Sequence, residues 1–475
     1  MRRFTLFPNA SSVGLTNHPQ SNLKPCWPSA RCCNPCAAKS SRNYTAQVAA
    51  CAAAGRRQTA ERTAVRLPDL PATYKRLVAH RCGPSFRQVT VVQELPLQPP
   101  GPGEVLIRIT HAGINGGCET FRARGEHAFA PNRAMQDFPL GAEGSGLVVA
   151  LGPDAGGGLQ LGQRVAVNGA AAFSEFVVAR PSLVTPLVEG VGCAEGAALV
   201  LSGVTACAAL EATARVRPGE VVAVTAAAGG TGHLAVQLAA AAGATVVGIV
   251  GGGTANKKAE AVAALGAHHV IDRTSQDVAS ELARLFPGGV DVVYDGVGGA
   301  LRDQLLGCLG PTGRLLQVGY ISEYPHTQAY RWDQRDGGDG DDGGGDGGRE
   351  GGGGCPGNVA LDEAEVPAAS TAAAAAAAAS TAPTAAPTSA LPPSEQLFWG
   401  GVDVSLGQRR VIGQIWPKDL KAILRCRRRV FDLAARGQLR VLTDQGHGRK
   451  GVEGVADAVD YMLRGEHVGK VIIEI

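Results

Sequence analysis

The sequence predicts an α/β protein in which a small β-barrel precedes a doubly wound parallel sheet, with a disordered insertion interrupting the sheet. Three observations carry this reading. Residues 74–200 hold short strand-like runs punctuated by Gly and Pro. From about residue 200, apolar runs alternate with helix-like segments. A glycine-rich turn separates one such run from the next helix, within residues 224–243. At 475 residues the chain is too long for a single core and suits two domains.

The elements follow in order. Residues 1–60 carry eight basic side chains (Arg2, Arg3, Lys24, Arg31, Lys39, Arg42, Arg56 and Arg57) and no acidic one. This leader is rich in Ser, Ala and Arg and lacks a continuous apolar stretch, which is the composition of an organelle transit segment rather than a secretory signal. A chloroplast is expected ahead of a mitochondrion, with small residues at Val48-Ala-Ala before Cys51 as a processing site. The remainder has 37 basic against 42 acidic residues, so its charge gives no reason to expect nucleic acid. No uninterrupted run of 18 large apolar residues occurs, so no membrane span is expected. Of the 12 cysteines, Cys33 and Cys36 form an isolated Cys-x-x-Cys, and Cys82, Cys118, Cys193, Cys207, Cys308 and Cys426 are scattered. Reduced thiols are the simpler reading.

In the first domain, 74–200, a strand at 105–113 follows the turn Pro99-Pro-Gly-Pro-Gly, and further strands are read at 144–152, 164–168 and 174–179. In the second, which begins at 201, apolar runs at 221–225, 245–250, 269–271, 290–294 and 314–318 alternate with helices at 231–242, 257–265, 277–285 and 300–309. That alternation implies a parallel sheet covered on both faces. The pattern stops at about 333. Residues 334–396 are Gly/Asp-rich, then acidic, then Ala/Thr/Pro-rich, and cannot bury enough apolar surface to offset their ordering entropy. Order resumes over 397–436 with the sixth strand and a helix at 418–436, and 437–475 returns to the first domain with an amphipathic segment at 452–463 and a strand at 470–475. The insertion therefore follows the carboxyl end of the fifth strand, the side on which open α/β sheets bind ligands.

The turn Ala227-x-Gly229-x-x-Gly232 has dinucleotide-fingerprint spacing, with Ala at the first Gly position, directly after a strand and before a helix. Gly229 lets the backbone approach a pyrophosphate, Gly232 lets helix and strand pack closely, and the helix N-terminus attracts the anion. Ala228, Gly230 and Thr231 complete this expected contact. A later turn, Gly296-Val-Gly-Gly-Ala, lacks the third glycine and reads as a loop edging a nicotinamide through Val297. NAD-selective sites place an acid about 20 residues on, at the end of the second strand. Here that strand ends in Gly251-Gly-Gly without a carboxylate, and Lys257 and Lys258 follow, which favours NADPH.

A strand-rich domain, the fingerprint and a C-terminal return together resemble the medium-chain dehydrogenase/reductase superfamily, whose fold joins a GroES-like barrel to a Rossmann sheet. Its zinc enzymes use a Cys near the start of the barrel, a Gly-His-Glu and a four-Cys lobe. This chain has Asn115 and Ala142 at the first two positions and no such lobe. Too few ligands remain for tetrahedral zinc, and no metal is expected. The sequence is more similar to the zinc-free quinone oxidoreductase and prostaglandin reductase branch, the 15-oxoprostaglandin 13-reductases included. The likeness rests on Ser202-Gly-Val-Thr-Ala, Val224-Thr-Ala-Ala-Ala-Gly-Gly-Thr-Gly, Gly289-Val-Asp-Val-Val-Tyr, Val318-Gly-Tyr-Ile-Ser-Glu-Tyr, Ala458-Val-Asp-Tyr-Met and Gly469-Lys-Val-Ile-Ile-Glu. It covers 74–332 and 408–475.

This resemblance implies NADPH as cofactor, with Thr205 at the phosphates or nicotinamide, Lys258 at the 2′-phosphate, and Gly319, Tyr320 and Lys470 among the cofactor contacts. A family tyrosine after the third strand is absent, and Arg273 is expected to meet the phosphate in its place. Tyr324 matches a tyrosine of the nicotinamide pocket. The implied reaction is reduction of the activated C=C of an enone or enal. Tyr324, Asn115 and the cofactor ribose are the candidates to meet the developing oxyanion or supply a proton. Quinone reduction on the same scaffold and non-catalytic NADPH binding are the alternatives. A homodimer is implied, with the sixth strand, 411–415, pairing across subunits.

Overall fold

The computed structural model describes residues 70–83, 85–117, 123, 136–169, 171–252, 255–323, 403–413, 419–446 and 448–475. The leader, the insertion and Tyr324 lie outside the described residues.

The first domain is built from β1 (Thr73–Ala79), β2 (Thr90–Pro96), β3 (Val105–Gly113), β4 (Phe138–Pro139), β5 (Glu143–Leu151), β6 (Arg164–Asn168), β7 (Phe176–Ala179) and β8 (Val184–Pro186). The second contributes β9 (Val221–Val224), β10 (Thr245–Val250), β11 (His269–Asp272), β12 (Val290–Asp295), β13 (Leu309–Gln317), β14 (Asp403–Leu406) and β15 (Arg409–Ile412). The chain closes with β16 (Thr443–Asp444) and β17 (Lys470–Glu474). Two sheets form the barrel domain, one ordered β2-β1-β4 and the other β16-β17-β3-β5-β6-β8, with β7 also on β3. The return strand β17 pairs antiparallel with β3, Ile472 opposite Gly113, and Ile114 N–H continues the ladder to Val471 O. Residues at opposite ends of the sequence thus become neighbours.

The second sheet runs β11-β10-β9-β12-β13-β15-β14. Its first six strands are parallel, and their order reverses between β9 and β12, which opens a crevice at their carboxyl ends. The strands are Val/Ile/Leu-rich because both faces are covered. Val222, Val246 and Tyr294 pack into one core, while Val247, Ile249, Val293 and Leu315 pack into another. Helices Gly232–Ala241, Ala255–Ala264, Val278–Leu285 and Gly299–Gly307 connect them, each within three residues of its expected bounds.

Two features depart from expectation. The last strand is β14, antiparallel to β15 through the two-residue turn Gly407-Gln408, with Leu406 opposite Arg409. The sixth strand β15 therefore has a neighbour on each side and is not the edge that pairing across subunits requires. Among the described residues Asp403–Leu406 forms that edge instead, and its Asp403 is ion-paired with Arg410. The second departure is the helix Cys193–Ala214, which carries π-helical turns at Leu199–Gly203 and Ala208–Ala214. By length and composition it could cross a membrane, but 78% of its most apolar window is buried inside the protein. It is a core helix, apolar over most of its surface because the barrel lies on one side and the sheet on the other, with Glu211 reaching the exterior near its end.

Candidate active site

A cavity of about 840 Å³ lies between the barrel and the carboxyl ends of β9, β10, β12 and β13. Ala228, Gly229, Gly230 and Thr231 line it just ahead of the helix Gly232–Ala241, whose N-terminus faces the cavity. A Cβ on Gly232 would press into the carbonyl of Ala226, so only glycine lets helix and strand approach this closely. The turn is also pinned from outside. His233 Nδ1 donates to Gly229 O at 2.8 Å, and its Nε2 accepts from Leu442 N–H at 3.1 Å. These bonds fix one neutral tautomer, and burial holds the imidazole pKa down at about 4. Gly469 N–H donates to Ala228 O at 2.7 Å, so the C-terminal return clasps the turn.

The second-strand end is cationic. Lys258 Nζ donates to Gly251 O at 2.9 Å and to Gly465 O at 2.5 Å. Its side chain is buried, and burial together with the adjacent Arg273 pushes its pKa below the ordinary lysine value. Arg273, exposed at the mouth, crosses Gly251 so closely that a Cβ there would lie 2.8 Å from its Nε. Among the described residues, no Asp or Glu lines the cavity, whereas Lys258, Arg273, Arg464 and Lys470 do. Such a lining favours an anionic ligand.

The opposite end is set by a buried carboxylate. Asp295 accepts from Thr225 Oγ at 2.7 Å, from the N–H groups of Val297 and Gly298 at 3.0 Å each, and from Gln317 Nε2 at 3.0 Å. Burial raises its pKa, and these four donors work against that rise. They shape the loop that brings Gly296 and Val297 to the cavity, where Val318, Gly319 and Thr205 also line the wall. Beneath lies a polar floor. Lys470 Nζ is 2.5 Å from Glu143 Oε1, 2.6 Å from Asn115 Oδ1 and 3.1 Å from Ser202 Oγ, and Asn115 Nδ2 donates to Glu143 Oε1 at 2.8 Å.

Residues 101–193 match the alcohol dehydrogenase GroES-like domain, and residues 230–333 match the zinc-binding dehydrogenase domain. A probable quinone oxidoreductase of Leishmania amazonensis is 33% identical over 256 residues, which cover 54% of this chain and 72% of that protein. The chain belongs to the medium-chain dehydrogenase/reductase superfamily. Prostaglandin reductase-3 of Mus musculus is 36% identical over 257 residues, 54% of this chain, and the match spans 66% of that relative's length. A Pseudomonas syringae quinone oxidoreductase has the same fold, with a TM-score of 0.59 at 24% identity over 85% of this chain and all of that one. The Escherichia coli quinone oxidoreductase, solved in complex with NADPH, has a TM-score of 0.59 at 20% identity over 84% of this chain and all of that one.

Within this superfamily, the floor departs from the zinc-binding description. At the expected metal position the side chains are an amide, Asn115, and a methyl, Ala142, and the carboxylate Glu143 already holds the Lys470 ammonium. This donor set does not fit tetrahedral zinc. Among the described residues, the side chains near enough to share a metal ion are Cys207, Glu211 and Cys426, outside the cavity, where Glu211 is ion-paired with Arg429.

The structure thus brings together Asn115, Thr205, Ala228, Gly229, Gly230, Thr231, Lys258, Arg273, Val297, Gly319 and Lys470 at one cavity. Gly232 acts beneath it. Tyr320 is not among the lining residues: the lining passes from Gly319 to Ile321, and Tyr320 is buried, its Cβ 2.6 Å from where a Cβ on Gly298 would lie. Lys470 crosses the phosphate turn, its Cδ 2.9 Å from where a Cβ on Gly230 would lie, and ends on the polar floor. Sequence reasoning missed Glu143, Ser202, His233 and Asp295. Glu143 left one readable sign, an acid within the small-residue run Gly141-Ala-Glu-Gly-Ser-Gly, where burial requires a cationic partner.

Proposed function

We propose that the protein reduces the activated C=C bond of α,β-unsaturated ketones and aldehydes with NADPH. The observation that carries this reading is a cationic cavity with no Asp or Glu among its described lining residues, ending on a floor of hydrogen-bonding groups unsuited to zinc. The glycine turn and helix N-terminus receive the pyrophosphate, while Lys258 and Arg273 receive the 2′-phosphate. Val297, Gly319 and Thr205 enclose the nicotinamide, which supplies a hydride when bound. The chain's own task is to hold donor and acceptor carbons in contact, exclude water and present hydrogen bonds to the substrate carbonyl, and Asn115 does the last. By resemblance, Tyr324 supplies the proton. Relatives named prostaglandin reductase, quinone oxidoreductase and 2-haloacrylate reductase support an oxidoreductase of this kind.

The test follows NADPH absorbance with an enone, an enal and a quinone, each repeated with NADH. Enone or enal turnover with NADPH, giving the saturated carbonyl, supports the proposal. Turnover of quinone alone replaces it with the second reading, and NADPH binding without turnover replaces it with a binding role. The subunit forms a homodimer, tested by light scattering. Residues 1–60 direct import into a chloroplast ahead of a mitochondrion, tested with a fluorescent fusion.

A further inference from the structure

The polar floor contains an ion pair whose arrangement assigns a role to a neighbouring hydroxyl. The side chains of Lys470 and Glu143 are 3% and 0% exposed. They meet because four separate elements converge: Asn115 follows β3, Glu143 begins β5, Ser202 sits in the π-helical turn Leu199–Gly203, and Lys470 begins β17. Gly113 leaves the space that the Glu143 carboxylate fills, since a Cβ there would collide with it.

An ammonium has three N–H bonds. Those of Lys470 reach Glu143 Oε1, Asn115 Oδ1 and Ser202 Oγ, so its donors are fully used. The consequence falls on its partners. Ser202 Oγ accepts from the ammonium and must direct its own proton elsewhere. Among the described residues no acceptor takes that proton, and Ser202 lines the cavity. Asn115 has its orientation fixed in the same way. Its carbonyl faces the ammonium and one N–H faces the carboxylate, which leaves the second N–H for the cavity it lines. The pair is neutral as a whole, so the floor can receive an uncharged carbonyl, yet these two groups present donors to it.

We infer that Ser202 Oγ–H and the second Asn115 Nδ2–H form an oxyanion site, aligned by the buried Lys470–Glu143 pair. This inference rests on the enone-reduction reading. The β-carbon of the substrate gains the hydride of NADPH, the C=C pair shifts to join Cα to the carbonyl carbon, and the carbonyl π pair moves onto oxygen. Ser202 and Asn115 donate to that oxygen as its charge grows, and both act as catalytic residues. Cα then takes the proton that the resemblance assigns to Tyr324, which solvent replaces, the carbonyl re-forms, and Ser202 is unchanged at the end. Lys470 and Glu143 are positioning residues, because they act through Ser202 and Asn115.

The experiment uses the full chain and two readouts. Loss of one oxyanion donor lowers kcat by about 10²–10³-fold. Ser202→Ala is expected to do this with an enone while the NADPH Kd stays within about twofold. The second readout is 4-nitrophenol bound to the enzyme with NADP⁺, followed at the nitrophenolate band against pH. An oxyanion site lowers the apparent pKa of the bound phenol, Ser202→Ala returns it toward its value in water, and Ser202→Thr restores both readouts. Lys470→Met alone strands a buried carboxylate, so the variant to use is Lys470→Met with Glu143→Gln. It is expected to fold and, at saturating NADP⁺, to lose the phenol shift. The inference is overturned by a wild-type protein that leaves the phenol unshifted, whether through absent binding or unchanged titration. Ser202→Ala that preserves both kcat and the shift overturns it too. Absence of enone turnover in the wild type counts against the enone reading alone, because the phenol titration needs no turnover.

Discussion

Replacing Lys258 with Met isolates the source of the NADPH preference. Lys258 is 8% exposed, and two of its three N–H bonds are held by Gly251 O and Gly465 O, which leaves one for a phosphate oxygen. A hydrogen bond to a charged group contributes about 1.5–3 kcal/mol, so the NADPH Kd should rise about 10- to 150-fold. Arg273 is exposed and screened by solvent, and Arg273→Ala should cost about tenfold or less. The NADH Kd should stay within about twofold in both variants, since NADH lacks the 2′-phosphate. Fluorescence titration of each cofactor measures this, with thermal unfolding as a control for the lost bond to Gly465 O. The pH dependence has a defined sign. Burial and Arg273 depress the Lys258 pKa, so the ammonium is lost earlier on the alkaline side than from an exposed lysine. The NADPH preference should therefore decline before the ordinary lysine range is reached. Equal losses for NADH and NADPH, or an NADPH Kd unchanged in Lys258→Met, would refute the assignment.

Other outcomes follow from the same geometry. Gly298 has φ +73°, and a Cβ would lie 2.6 Å from that of Tyr320, so Gly298→Ala should cost about 1–3 kcal/mol of backbone strain. A lower Tm and weakened cofactor binding would register it. His233 and His467 have pKa values held down at about 4 by burial, against an ordinary value of 6.5. Between those values the unfolded chain binds protons that the folded one refuses, so stability is lost as pH falls from 6.5 to 4. The loss should be about 3 kcal/mol for each histidine and is measured by denaturant titration across that window. Prolonged chelation should leave enone reduction and NADPH binding unchanged, because the floor does not suit zinc, and a loss restored by added zinc would contradict that reading. Tyr324→Phe should slow enone turnover without changing the NADPH Kd.

Much of the second domain was legible because strands buried on both faces read as unbroken Val/Ile runs. The run at 245–250 coincides with β10. The helix Cys193–Ala214 was not legible, since Ala, Gly and Ser on every side give no 3.6-residue period. Strand β14 was hidden by its charged, half-exposed residues and by a turn, Gly407-Gln408, of common composition. At the site, the glycine turn and its cations were readable because they are local in sequence. The Asn115, Glu143, Ser202 and Lys470 cluster was not, since no local pattern pairs Asn115 with a lysine 355 residues away. Lys470 was singled out, but its partners and therefore its place were not.

The antiparallel pairing of β17 with β3 also bears on how this chain folds. The parallel sheet from β9 to β13 is contiguous in sequence and can close early. The barrel cannot, because β3 meets its partner only after residues 470–474 have been made. Until then the 111–113 end of β3, beyond its pairing with β7, offers unpaired backbone groups to any passing strand. Contacts this distant also make closure slow. The segment that completes the catalytic floor thus also covers an adhesive edge. A chain lacking residues 437–475 would lose Lys470 and with it the shield on β3, so chaperone binding or aggregation should accompany loss of activity.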